Sequence, residues 1–233
     1  MNKLLLLFSF VLISMGLQAQ FNAEPGVEVD LRTLAPFENL RVSRGINVTL
    51  IEGEAPKAEI HIRNTLPEDV LIEQSGKDLT IRMKARIYKD VAVNVYLYYQ
   101  QLREISVGTG AAVYAEALLE ADFLKLETGA DAAIQLEDID VARIEANVSA
   151  SRIELAGEVA ELDLNASTGG RFVGHALLAE SVKVRATTGA NVQLQVSEKL
   201  EARSATGARI EYSGDPREVA VSTSLGGSID AAP

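Results

Sequence analysis

From residue 105 onward, apolar and polar side chains alternate in short runs, and the runs recur. Val182-Lys183-Val184 and Val192-Gln193-Leu194-Gln195-Val196 have a period of two, the mark of a strand with one buried face. No window from 105 to 230 sustains the i, i+3, i+4, i+7 stripe of an amphipathic helix. The apolar pairs are Ile105/Val107, Leu124/Leu126, Ile144/Ala146, Leu162/Leu164, Val182/Val184, Leu200/Ala202 and Val219/Val221, with first members 18 to 20 residues apart. A small-residue turn follows each pair: Thr109-Gly110, Thr128-Gly129, Ser149-Ala150, Thr168-Gly169, Thr188-Gly189, Thr206-Gly207 and Leu225-Gly226, spaced 18 to 21 residues apart. Two markers sharing one period are the signature of a solenoid. The spaced Leu and Asn ladder of leucine-rich repeats is missing. The pattern therefore predicts an all-β, single-stranded parallel β-helix or β-solenoid of about seven rungs, roughly 20 residues each.

Stacked rungs lie about 4.8 Å apart, so equivalent residues sit above one another. The inward column is expected to run Leu124, Ile144, Leu162, Val182, Leu200, Val219. Gly110, Gly129, Gly169, Gly189, Gly207 and Gly226 are expected to stack at one corner, where glycine supplies positive φ or room for close approach. Ala150 interrupts that ladder, so either its rung bends slightly differently or the corner does not need positive φ. Before the repeats, the segments 46–50, 59–62, 70–74, 79–83 and 91–95 read as less regular strands, with a hairpin-like connection over 74–78. They are expected to blunt one end of the solenoid, because an open rung presents unpaired backbone groups. Residues 20–36 read as a flexible leader or cap, and 37–233 as one continuous domain.

Several short segments occur in a telling order. Phe37-Glu38-Asn39-Leu40-Arg41-Val42 is followed by Gly45-Ile46-Asn47-Val48-Thr49-Leu50-Ile51-Glu52-Gly53, then Leu79-Thr80-Ile81 and Val91-Ala92-Val93-Asn94-Val95. Leu102-Arg103-Glu104-Ile105-Ser106-Val107-Gly108-Thr109-Gly110 then opens the repeats. In this order the chain resembles the family described as "Putative auto-transporter adhesin, head GIN domain", over about residues 37 to 230. The resemblance implies a β-solenoid in an exported bacterial protein with an adhesin-like role. It brings no catalytic residues to this chain.

Composition narrows the chemistry. Of the 233 residues 47% are hydrophobic but only 5% aromatic, with no Trp, so the core must be aliphatic. The net charge of −11 repels phosphate backbones and argues against nucleic acid as a partner. Lys3, an apolar run from Leu4 to Leu17 and Ala19 as a cleavage point read as a signal peptide over residues 1–19. Export to the periplasm or cell surface is therefore expected, with no membrane span left after cleavage. The chain has no Cys, so the mature protein must be held by packing and backbone hydrogen bonds rather than disulfides.

Candidate chemistry is sparse. The two histidines, His61 and His175, lie far apart in the chain and read as solvated surface groups. Zinc spacing is absent, and so is a G-x-S-x-G elbow. Asp131, Glu145, Glu154, Asp163 and Glu211 fall on outward positions but are scattered, whereas a β-helix glycosidase or lyase needs clustered groups. Asp131 shares its expected rung position with Arg171, Asn191 and Arg209, which is no calcium ladder. Neither enzyme activity, a metal nor a cofactor is expected. The best interaction surface is Tyr96-Leu97-Tyr98-Tyr99, in which Tyr96 and Tyr98 should point away from Val93, Val95 and Leu97. The sequence thus predicts an exported binding or adhesin-like module of the cell envelope, its partner an unidentified envelope protein or glycan. A self-assembling envelope protein is the alternative, with homo-oligomers left open. A carbohydrate-active enzyme comes third.

Overall fold

Alternating side chains become stacked rungs because each rung leaves a row of backbone donors and acceptors that only another strand can satisfy. The computed structural model describes residues 27–232 and contains no α-helix among them; the expected signal peptide lies outside the described residues. The strands in chain order are β1 (Glu28–Thr33), β2 (Asn39–Ser43), β3 (Asn47–Glu52), β4 (Lys57–Arg63), β5 (Val70–Ser75), β6 (Asp78–Met83) and β7 (Ala92–Tyr99). There follow β8 (Glu104–Gly108), β9 (Ala112–Ala115), β10 (Leu119–Gly129), β11 (Ala133–Ser149), β12 (Arg152–Ser167) and β13 (Arg171–Ala186). The last are β14 (Asn191–Ala205), β15 (Arg209–Ser213), β16 (Glu218–Ser224) and β17 (Ser228–Ala231). Parallel stacking winds them into a β-solenoid of about six turns.

The long strands β11 to β14 each wrap around the coil, and register breaks such as that between Leu136 and Ile139 mark the bends. At one bend Gly157 has φ +120°, and a Cβ there would lie 2.2 Å from the Ile139 carbonyl oxygen. Inside, the expected column holds: Leu124 pairs with Ile144, Ile144 with Leu162, Leu162 with Val182, Val182 with Leu200, and Leu200 with Val219. All but the last are buried. A second column runs Leu40, Ile105, Leu126, Ala146, Leu164, Val184, Ala202, Val221. Ile105 and Val107 therefore stack on Leu126 and Thr128, two residues later than the repeat count places them.

One corner is a stack of two-residue turns. Thr168-Gly169 (φ 51° and 71°), Thr188-Gly189 (53° and 70°), Thr206-Gly207 (53° and 70°) and Leu225-Gly226 (48° and 76°) are left-handed at both central positions. Each is closed by a backbone hydrogen bond, from Gly170 N to Ser167 O (2.8 Å), Ala190 N to Thr187 O (3.2 Å), Ala208 N to Ala205 O (3.2 Å) and Gly227 N to Ser224 O (3.0 Å). Two consecutive positive φ values define the type I′ turn. Gly169 N donates to Thr188 O (2.9 Å) and Gly189 N to Thr206 O (3.0 Å), so one turn holds the next.

One rung departs from the expected ladder, and the Ala150 rung bends differently, as expected. Gly129 is not at the corner: it pairs with Gly108 and Ser149 inside the strands, and the turn there is Ala130-Asp131. Asp131 consequently stacks with the corner, Asp131 N donating to Ala150 O (2.9 Å), and not with Arg171, which pairs with Arg152 and Asn191. At Ala150 the corner is one residue shorter, with two residues between Ser149 and Arg152 where three lie between Ser167 and Arg171. Only Ala150 remains left-handed, and Ser151 Oγ hydrogen-bonds Thr128 Oγ1 (2.7 Å) across the shortened bend.

The N-terminal strands are more regular than their sequence indicates. β2 and β3 form a rung, turning at Arg44-Gly45 (φ 64° and 70°), and β2 stacks between β6 and β8 while β3 stacks between β7 and β9. Spatial order thus differs from chain order. Beyond that rung the strands run antiparallel: β5 on β6 through a tight Ser75-to-Asp78 hairpin, β4 on β7, and β1 on β4. Residues 28–33 of the expected leader are this outermost strand. Beneath it, buried Asp69 (2% exposed) accepts a hydrogen bond from Thr65 Oγ1 (2.6 Å) and pairs with Arg86. At the other end β16 and β17 stack only on β14 and β15.

Threonine at φ near +50° is strained by its branched Cβ. Thr188→Asn should therefore stabilise the protein by about 1 kcal/mol, since asparagine tolerates this region and Asn-Gly suits the turn. Gly189→Ala should destabilise it by about 1–2 kcal/mol. Urea midpoints check both; a lower midpoint for Thr188→Asn would show that stacked threonine side chains outweigh the strain.

Candidate functional site: a flat aromatic face beside the N-terminal cap

Strand alternation decides which tyrosines reach solvent. In β7 Val93, Val95 and Leu97 are buried, and Tyr96 and Tyr98 face outward as expected. Their neighbours come from strands far apart in sequence. One row crosses the sheet as Leu31, Glu59, Tyr96, Thr49, Tyr114, Gln135, on β1, β4, β7, β3, β9 and β11. The flanking rows are Val29, His61, Asn94, Asn47 on one side and Thr33, Lys57, Tyr98, Ile51 on the other. Val29 (42% exposed), Leu31 (68%), Tyr96 (36%) and Tyr114 (37%) thus share one surface. Aromatic side chains interleaved with polar ones are the composition favoured at protein interfaces.

The polar groups hold the rings in place. The His61 ring meets Tyr96 edge-on, centroids 5.0 Å apart at 68°, and its Nε2 lies 2.7 Å from Glu59 Oε1. His61 is therefore half-buried against an aromatic neighbour rather than freely solvated as expected, whereas His175 on β13 is exposed. Lys57 Nζ sits 4.1 Å from the Tyr98 ring centroid, a cation–π contact. Gly53 lies beside Tyr98, where an added Cβ would come within 3.3 Å of Cδ1. Asn47 Nδ2 donates to Asn94 Oδ1 (3.1 Å) between stacked rungs. Pre-ordered aromatic rings offer contact area at low entropy cost. Alternation identified Tyr96 and Tyr98; Lys57, His61, Leu31 and Tyr114 join them only through pairings that the sequence does not signal.

The other chemical candidates do not assemble. Glu145 and Asp163 stack as neighbours in a column flanked by Lys125 and Lys183, while Glu154 and Glu211 lie on the strand segments across the corner. Arg143 bridges Glu145 (3.1 Å) and Glu161 (3.2 Å), an exposed lattice of small energetic worth. Among the described residues no three metal-ligating side chains gather, and no helix is long and apolar enough to cross a membrane.

Tyr99, beside the patch, points inward and is 6% exposed. Burial, reinforced by the Glu52 carboxylate, pushes its phenol up to about 12 from an ordinary 10. The folded state thus holds this proton more tightly than the unfolded chain. Its contribution to stability is complete below pH 10 and is lost as pH rises towards 12. Alkaline absorbance titration should show one late-ionising phenol that disappears in Tyr99→Phe, and that variant should lose stability less steeply above pH 10. Loss of an ordinary phenol instead would contradict the buried placement.

Comparison with known proteins agrees with this architecture. The model of the family described as "Putative auto-transporter adhesin, head GIN domain" matches residues 36–216. No curated protein sequence matches the chain. A crystal structure of a "putative adhesin" from Bacteroides fragilis superposes with a TM-score of 0.80 at 14% identity, covering 90% of this chain and 99% of that one. A "putative adhesin" from Parabacteroides merdae gives 0.71 at 19% identity, covering 91% and 98%. A "Putative lipid binding protein" from Parabacteroides distasonis gives 0.71 at 14% identity, with the same coverages of 91% and 98%. At such identities these structures speak to the fold alone, whereas the family match spans most of the sequence: this chain belongs to the auto-transporter adhesin, head GIN domain family.

Proposed function

We propose that the protein is an exported, non-enzymatic binding module of the bacterial envelope, adhesin-like in role, which engages an envelope protein or glycan through the flat face around Tyr96, Tyr98 and Tyr114. The single observation that carries this reading is the shared row. Exposed Leu31, Tyr96 and Tyr114 lie across one sheet surface, although they come from strands well separated in the chain. Exposed aromatic rings at spaced positions on one ordered sheet offer a partner contact area at low entropy cost. Lys57, Glu59 and His61 along the same face supply the polar contacts that give a flat interface its specificity. Export is supported by the apolar run behind Lys3 and by membership of an adhesin-like family. The non-enzymatic reading is supported by the scatter of the carboxylates: Glu145 and Glu154 are engaged in surface ion pairs on different strand segments.

Arrays of purified bacterial glycans and envelope proteins test the reading. The wild-type chain should bind at least one ligand, and Tyr96→Ala/Tyr98→Ala/Tyr114→Ala should bind it about tenfold more weakly or worse, with an unchanged circular dichroism spectrum. Equal binding by wild type and variant would refute the face; release of reducing sugar from an arrayed glycan would refute the non-enzymatic role.

A further inference from the structure

The face that carries Tyr96 and Tyr114 does not end with them. Apolar and polar groups alternate along its row from the cap: Leu31, Glu59, Tyr96, Thr49, Tyr114, Gln135. Leu31, Tyr96 and Tyr114 therefore recur at every second strand, roughly 10 Å apart at the sheet spacing. The row then runs on to Glu154 and Val173, on β12 and β13. The flanking row changes character on the way. Beyond Asn47, Ala112 and Ala133 it becomes Arg152, Arg171, Asn191 and Arg209. Two of these arginines have a carboxylate: Arg152 lies 2.6 Å from Glu154 and Arg209 lies 3.6 Å from Asp230. Arg171 has no ion pair among the described residues, and it stacks directly on Arg152. Like charges in directly opposed positions destabilise a sheet. In a chain of net charge −11, this exposed guanidinium is left without a counter-charge.

We propose, taking the aromatic face as the binding surface, that its ligand is a linear glycan bearing carboxylates, laid along the solenoid axis with sugar rings on Tyr96 and Tyr114 and a carboxylate on Arg171. The C–H face of a sugar ring stacks on an aromatic ring. In a β-1,4-linked chain every second sugar turns the same face to the same side, and each sugar advances the chain by close to one strand spacing. A first ring on Tyr96 thus places the third on Tyr114 and the sixth over β13, beside Arg171. Thr49 and Gln135, between and beyond the rings, offer a hydroxyl and an amide to sugar hydroxyls. The planar fork of Arg171 suits a carboxylate, which it can hold through two parallel hydrogen bonds. An extended peptide on the same line would present same-side side chains about 7 Å apart, out of step with the platform.

Calorimetry on the purified protein with two hexasaccharides tests this: β-1,4-linked hexaglucuronate and cellohexaose, which share a backbone and differ in their carboxylates. The wild type should bind both, the acidic hexamer about tenfold more tightly. Arg171→Gln should bring the acidic hexamer down to the affinity of the neutral one and leave the neutral one unchanged. Tyr96→Ala with Tyr114→Ala should weaken both about tenfold. Arg185, which stacks on Arg203 in the strand segments before the corner, is the control for charge alone, and Arg185→Gln should change neither affinity. Equal affinity for the two hexamers, equal losses in Arg171→Gln and Arg185→Gln, or no binding of either hexamer would each overturn the acidic-glycan assignment. If neither hexamer binds, an arrayed envelope protein held through the tyrosines would leave the face standing as a binding surface. Array binding indifferent to the tyrosines would remove that reading too.

Discussion

Every rung of this protein must satisfy its backbone through the rungs above and below, and that constraint governs the rest. Stacking at the strand spacing sets one residue directly on another. A residue's environment is then decided by the side chains a rung away rather than by its chain neighbours. This is why an interior with so few aromatics packs well. Leu124, Ile144, Leu162, Val182 and Leu200 are each nearly inaccessible, although none is large enough to span the coil. The same constraint enforces the corner. The chain must reverse at nearly the same height in every turn, and a stack of type I′ turns does so with two residues. Threonines at Thr168, Thr188 and Thr206 accept a left-handed conformation that each alone would avoid.

A stack must also end. Here the chain folds back on itself at one end, and that is where the candidate site lies. The antiparallel strands β4 and β1 widen the sheet beyond the solenoid. They bring Leu31, Lys57, Glu59 and His61 alongside Tyr96 and Tyr114 on a surface that no single rung could provide. The cap and the aromatic face are thus consequences of one device. The opposite end has no such strands among the described residues, and the apolar columns run out into exposed valines.

The sequence revealed the repeat because stacked environments demand similar residues at similar intervals. The column from Leu124 to Val219 and the outward aim of Tyr96 and Tyr98 were both legible for that reason. What escaped were slips in phase. Thr128-Gly129 mimics the turn motif but lies inside the strands, and the true turn, Ala130-Asp131, carries no glycine. At Ala150 the altered bend was legible, but the missing residue was not, because it reads in sequence as a substitution. The placing of β2 between β6 and β8 leaves no local trace, because each strand needs only a compatible apolar face. The convergence around Tyr96 was hidden for the same reason: His61 meets it through an antiparallel register between segments that look independent.

Nearest-neighbour stacking is measured most directly by a pair of double-mutant cycles. Leu162 and Val182 are partners in adjacent rungs, whereas Leu124 and Leu200 share the column several rungs apart. Each leucine truncated to alanine should cost about 2–5 kcal/mol. Leu162→Ala with Val182→Ala should show a coupling of about 0.5 kcal/mol or more, and Leu124→Ala with Leu200→Ala should be additive within error. Additivity in the adjacent pair, or coupling of equal size in the distant one, would contradict the picture of a column built rung upon rung.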